Sequence, residues 1–167
     1  MMKTAAGFFL FLTIVFLPFD ASLAQDAPIE ITADLLEVER DSGIATFSGS
    51  VRASQQNFRL DADKLKVFYA ESSEGATEIK RLEASGDVFL DNVQGQSARA
   101  QWAIFDVEQN LVTLGDRVQL LQGDNIIEGG KTVMNLNTGQ AQMTSTEGDR
   151  VRGLFLSNNQ LQLSEPQ

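Results

Sequence analysis

The segments ITADLLEV (31–38) and LDADKLKV (60–67) carry one pattern twice, and with it one irregularity. Apolar and polar side chains alternate, as on a strand with one buried face, but the alternation slips by one place midway. Ile31 and Ala33 share a parity, after which Leu36 and Val38 take the other. Leu60 and Ala62 give way in the same manner to Leu65 and Val67, with the polar Asp63 and Lys64 at the crossing. A one-place slip moves every later side chain to the opposite face of a sheet, so a chain retains it only where the surface to be covered also changes sides. A bulge that turns a long strand from one sheet into a second sheet facing it meets that condition, because both halves then point inward. The expected fold is all-β, a flattened jelly-roll whose two inner walls are apolar along their whole length.

The pattern runs through the chain. The equivalents of Ala33 are Ala62, Ala100 in ARAQWAIF (98–105) and Gly129 in IEGGKTVM (127–134), at spacings of 29, 38 and 29 residues. The long interval is assigned to a solvated loop around AESSEGATE (70–78), rich in Ser, Glu and Gly. In the later copies Ala98 and Ala100 yield to Ala103 and Phe105, and Ile127 and Gly129 to Thr132 and Met134. Turns follow each slip, with Gly43, Asn110 and Gly139 at positions where a hairpin favours positive φ. Amphipathic helices are excluded by an apolar spacing of two in short runs rich in Val, Ile, Phe and Thr. Leu35, Phe68, Trp102 and Ile104 fall on the outward parity, where some of them are expected to face a partner.

The first 24 residues are read apart from the fold. Lys3 precedes an apolar run from Ala5 to Phe19 and then Ser22-Leu23-Ala24, small residues where a signal peptidase reads, so a cleavable export signal (1–24) and a single domain (25–167) are expected. The run is too short and too interrupted, at Pro18, for a membrane anchor. There is no cysteine, hence no disulfide framework and no lipid attached at cysteine. The 143 remaining residues suit one core, and with 12 basic against 22 acidic side chains they keep the whole net charge of −10. That balance opposes binding to nucleic acid or to anionic membrane surfaces.

Catalytic constellations are scarce. Without His or Cys the common nucleophilic triads and most zinc sites are unavailable, so neither a metal nor a cofactor is expected, and no catalytic residue is assigned. Asp61 with Asp63, and Glu37 with Glu39, sit two apart on strands, a spacing at which a glycosidase-like carboxylate pair is geometrically conceivable; their places in amphipathic strands favour a solvated face. Gly129-Gly130-Lys131-Thr132 resembles the tail of a phosphate-binding loop but lacks the earlier glycine and the following helix.

The stretches APIEITADLLEVERDSGIATFSGSVRASQQNFRLDADKLKVFY (27–69), GDVFLDNVQGQSARA (86–100) and QGDNIIEGGKTVMNLNTGQAQM (122–143) together resemble the OstA-like β-jelly-roll family of periplasmic lipopolysaccharide-transport proteins. FSGSV (47–51) matches best, whereas LGDRV (114–118) departs from it by placing the glycine one position early. The resemblance implies a twisted jelly-roll of repeated antiparallel hairpins, open along one side, that carries lipopolysaccharide by its lipid A acyl chains in the periplasm of a Gram-negative cell. It implies end-to-end stacking with the jelly-roll domains of an inner-membrane transport complex and of an outer-membrane translocon; further copies of the chain stacked head to tail are expected from its free strand edges. Parity independently assigns Ile29, Ile31, Leu36, Val38, Phe47, Val51, Leu60, Leu65, Val67, Phe105, Val107, Met134 and Met143 to the inner walls, the candidate acyl-chain groove. Free strand edges for the partners are expected at IEITA (29–33), through Ile29, Ile31 and Ala33, and at DRVRGLFL (149–156), through Val151, Leu154 and Leu156. A periplasmic carbohydrate-binding or structural β-module is the alternative; one Trp and one Tyr make a meagre aromatic platform for it.

Overall fold

The computed structural model describes residues 28–71, 75–92, 95–146 and 148–156. Its elements are all strands: β1 (Glu30–Thr32), β2 (Leu35–Glu39), β3 (Ile44–Gln55), β4 (Phe58–Glu71), β5 (Thr77–Asn92), β6 (Gln96–Asp106), β7 (Leu111–Gln122), β8 (Asn125–Asn135), β9 (Ala141–Thr144) and β10 (Arg152–Leu154). Hydrogen bonding joins them antiparallel in the order β1-β3-β4-β5-β6-β7-β8-β10, with β2 also on β3 and β9 also on β8. Each terminal rung is thus a strand in two pieces: β1 pairs with Arg52–Ser54 and β2 with Ile44–Ser48 of the same β3. At the far end β9 and β10 divide β8 in the same way.

The sequence slip is a structural corner. Pairing jumps between Ser48 and Val51, between Asp61 and Lys64 opposite Ser85 and Val88, between Arg99 and Trp102, and between Gly115 and Val118. These breaks form one line across the ladder and fold it into two half-sheets that share every long strand. On β3, β5 and β7 the bend is made by two successive residues of positive φ: Gly49-Ser50 (82° and 45°), Gly86-Asp87 (81° and 41°) and Asp116-Arg117 (61° and 55°). Opposite the first two lie the aspartates of the repeated Ala-Asp pair. A Cβ on Gly49 would strike Asp34, and one on Gly86 would strike Asp63, so those corners need glycine for space as well as for φ.

The third corner explains LGDRV. There Gln101 replaces the aspartate, and the indole of Trp102 lies over Gly115, leaving no room for a Cβ. Trp102 Nε1 donates to Asp116 Oδ2 at 3.1 Å, and Asp116 itself takes the left-handed conformation. The glycine stands one place early because the tryptophan, not the bend, requires it.

Both half-sheets contribute to one core: Val51, Ala53, Leu60, Ala62, Val88, Ala98, Ala100 and Val118 from one side of the corners, Leu65, Val67, Ala84, Ala103 and Leu114 from the other. The expected turn residues Gly43, Asn110 and Gly139 have φ of 62°, 51° and 71°. The segment 70–78 differs from the expectation of a plain loop. β4 continues to Glu71 and β5 begins at Thr77, while residues 72–74 lie outside the described residues, so part of the extra length extends two long strands. Asp63→Val would set a branched side chain against Gly86, and is expected to lower stability by about 1 to 3 kcal/mol. A urea titration checks this; an unchanged midpoint would mean that the Asp63–Gly86 approach contributes nothing.

Candidate functional site

Cross-strand register gathers the inner-wall residues into rows. Leu36, Phe47, Leu65, Ala84, Ala103, Leu114, Thr132 and Met143 are successive partners across one half-sheet. Ile31, Ala53, Leu60, Leu90, Ala98, Leu120 and Ile127 form the matching row on the other. Within these walls the candidates differ in burial. Val51, Leu60, Leu65 and Val67 are buried and constitute core. Ile31, Phe47, Phe105, Val107, Met134 and Met143 are half-buried. Ile29, Leu36 and Val38 are 37%, 51% and 51% exposed. Val107 is a correction in one respect: it follows the end of β6, in the turn whose Asn110 N–H donates to the Val107 carbonyl, and so stands at the end of the wall.

This gradient has a topological cause. The ladder is linear: β1 and β2 stand at one end of the strand order, β9 and β10 at the other, and among the described residues the two ends do not pair. The half-sheets therefore meet in a closed core near the middle strands and part toward an open side. Leu36 and Val38 share their rows with the buried Leu65 and Val67, yet among the described residues no strand lies beyond β2 to cover them. They form an apolar lip. Such a wall can accept a flexible hydrocarbon chain but offers few groups for bond chemistry; Thr132, buried with no hydrogen-bond partner for its hydroxyl, is a polar exception in the row.

The edges are longer and more broken than IEITA and DRVRGLFL suggest. The amino-terminal edge includes β2, and Ala33 falls at the interruption between β1 and β2, where the Asp34 N–H donates to the Gly49 carbonyl at 3.0 Å. In 149–156 only Arg152–Leu154 is strand, so Val151 precedes it and Leu156 follows it; β9 supplies the rest of that edge. Val151, Leu154, Phe155 and Leu156 are 44–66% exposed.

The carboxylates do not form the conceivable pair, because the corner falls between Asp61 and Asp63. Asp63 lies against Gly86. Asp61 takes the Arg52 guanidinium at 2.7 Å and that of Arg59 at 3.3 Å, and its hydrogen bond and charge raise the Arg52 pKa. Glu39 accepts a hydrogen bond from the Ser42 hydroxyl at 3.4 Å, and Glu37 is exposed on the same edge strand. Among the described residues no group of three or more His, Cys, Asp or Glu side chains is placed to hold a metal ion. Gly129 and Gly130 lie inside β8, where Cβ atoms would collide with Met143 and with the backbone of Thr146; their smallness lets β9 and the chain after it approach.

Comparison with known proteins agrees with this geometry. A family model described as the LptA/(LptD N-terminal domain) LPS transport protein matches residues 30–140. An uncharacterised protein of Rhizobium meliloti is 31% identical over 130 residues, which cover 75% of this chain and 70% of that protein. The lipopolysaccharide export system protein LptA of Escherichia coli K12 is 25% identical over 128 residues, 75% of this chain and 69% of that one. The crystal structure of LptH, the LptA-homologous periplasmic component of lipopolysaccharide transport in Pseudomonas aeruginosa, superposes with a TM-score of 0.66. It covers 78% of this chain and 96% of that one at 19% identity, a likeness of fold.

Proposed function

The chain belongs to the LptA and LptD N-terminal-domain family of lipopolysaccharide transport proteins, and from that premise we propose that its apolar trough holds lipid A acyl chains while it bridges the inner and outer membranes across the periplasm. The observation that carries the reading is the pair of apolar inner walls on a ladder whose two ends do not pair among the described residues. The leader at residues 1–24 serves export, and the partners are the jelly-roll domains of the inner-membrane complex and of the LptD-containing outer-membrane translocon. No catalytic step is involved.

The energetics favour a slide. Each CH₂ removed from water contributes about 0.8 kcal/mol, so whole acyl chains cannot cross the periplasm exposed, whereas passage between successive apolar grooves is nearly neutral. Direction then comes from an energy source at the inner membrane. The buried middle of the trough is filled by its own side chains, so acyl chains first meet Leu36 and Val38 at the lip and part the half-sheets to go deeper. The sugar and phosphate head stays in solvent, away from the acidic surface.

A photo-crosslinking side chain at Leu36 or Val38 is expected to capture lipopolysaccharide, and one at Glu37 or Arg52, on the outward parity, is expected not to. Equal capture at both sets would reject the trough. Leu65→Ala tests the division between core and lip. It is expected to cost about 2 to 5 kcal/mol of stability, whereas Leu36→Ala, half exposed at 51%, should cost far less and instead weaken lipid capture. Paired unfolding and capture measurements check both halves of that statement.

A further inference from the structure

We propose that the outer face of the half-sheet holding Leu65, Ala84 and Ala103 carries a separate site for a sugar ring bearing a phosphate or carboxylate. A depression of about 360 Å³ opens there, with Lys64, Lys66, Glu83, Ser85, Trp102 and Ile104 in its lining. Its volume falls at the lower end of the range for small-molecule sites, about 300–1,000 Å³.

Three observations make it a binding surface. Trp102 is held: its indole lies over Gly115 and its Nε1 donor is satisfied by Asp116, so what it contributes to the lining is apolar ring surface, not a hydrogen bond. Lys64 and Lys66 are the second. Among the described residues neither has a carboxylate within ion-pair distance, although Lys66 stands directly opposite Glu83 in register. The two lysines stand two places apart on β4 and so face the same side of the sheet, within one depression. The acid in the depression, Glu83, is already engaged by Arg81 at 2.7 Å. Third, register puts Lys64, Ser85, Trp102, Gly115 and Lys131 in one row, so the tryptophan has a lysine two strands away on either side, about 10 Å each way.

Apolar aromatic surface flanked by ammonium groups suits a ring with apolar C–H faces and an anionic substituent. Bare phosphate leaves the indole unused, and a polyanionic nucleic acid is repelled by the net charge. The occupant is a saccharide other than the transported lipid. Trp102 on β6 is four ladder steps from β2 and three from β9, so about 14–19 Å of sheet separates it from either lip. The inference borrows only the periplasmic setting from the family reading.

Trp102 is the single tryptophan, so its indole N–H resonance reports on this site alone. Glucose 6-phosphate is expected to shift it saturably in the millimolar range, with glucose and inorganic phosphate each at least about tenfold weaker. Lys64→Gln with Lys66→Gln should abolish the shift while leaving the unfolding midpoint and lipid capture at Leu36 unchanged. The proposal is overturned by no saturable shift with the sugar phosphate, by an equal response to phosphate alone, or by a response that survives the lysine substitutions. Competition by lipopolysaccharide loaded in the trough would likewise overturn it, assigning the site to the cargo. Loss of capture at Leu36 with an intact indole response would count against the trough instead.

Discussion

Gly86→Val is expected to lower folding stability by about 3 kcal/mol or more, enough to unfold a marginal domain. Two costs add. Gly86 has φ +81°, where a β-branched residue is strained by about 1 to 3 kcal/mol. A Cβ there would also come within 2.7 Å of Asp63 Cβ and Cγ, closer than real contacts allow. The two parts separate in a cycle. In an Asp63→Gly background the contact vanishes and only the backbone cost of Gly86→Val remains, so the substitutions should be strongly non-additive. Gly95→Ala is the reference: φ is +76°, but nothing lies within 4 Å of its Cβ position, and about 1 kcal/mol is expected. Urea unfolding of the five proteins, the four of the cycle and Gly95→Ala, measures all of it. A Gly86→Val protein no less stable than Gly95→Ala would show that the two half-sheets are not pinned at this corner.

The same corner marks what the residues announce and what they withhold. A period-two pattern has two phases, so a slip at Asp63-Lys64 is visible in a single strand, and its return at Ala100 and Gly129 marks a bend in the whole ladder. The turn residues were legible for a local reason, since Gly43, Asn110 and Gly139 need nothing but their own φ. Burial was not. Leu36 and Leu65 have the same parity and share a row, yet one is 51% exposed and the other 0%. The difference lies in which strands stand beyond them, and parity carries no information about that. The early glycine at 115 depends on Trp102, thirteen positions away and brought alongside only by register. Asp61 and Asp63, whose places in the strand favoured a solvated face over a catalytic pair, count as neighbours on one face only if the strand is unbroken, and the corner falls between them. Residues 1–27, the expected leader among them, and residues 157–167 lie outside the described residues.

Leu154→Lys combined with Leu156→Lys is expected to weaken head-to-tail self-association by about a hundredfold, converting concentration-dependent rods into monomers. An open ladder leaves N–H and C=O groups unpaired at both ends, and these are templates for a further strand. At one end β10 follows β8 and is only three residues long; at the other β1 follows β3 and is equally short. Leu154, Phe155 and Leu156 are 48%, 66% and 63% exposed, a run of apolar side chains that a solitary domain has no reason to display. Arg150 and Arg152 guard one stretch of this edge, and Arg152 lies 3.9 Å from Glu128, but no charge follows within the described residues. Pairing of the carboxyl-terminal edge of one copy with the amino-terminal edge of the next would join their inner walls. Such a contact would be heterologous and would not close, so association is expected to extend with concentration instead of stopping at a dimer. Lysines at 154 and 156 repeat the device by which natural edges avoid pairing. Because both positions are exposed, they should shift the unfolding midpoint by no more than about 0.5 kcal/mol of stability. Deleting residues 149–167 should have the same effect on rods and should also remove docking to the outer-membrane translocon. Small-angle scattering over a concentration series reads the outcome directly. A doubly substituted protein that still elongates as the parent does would reject this edge as the joint, and a parent that halts at a dimer would reject the open stack itself.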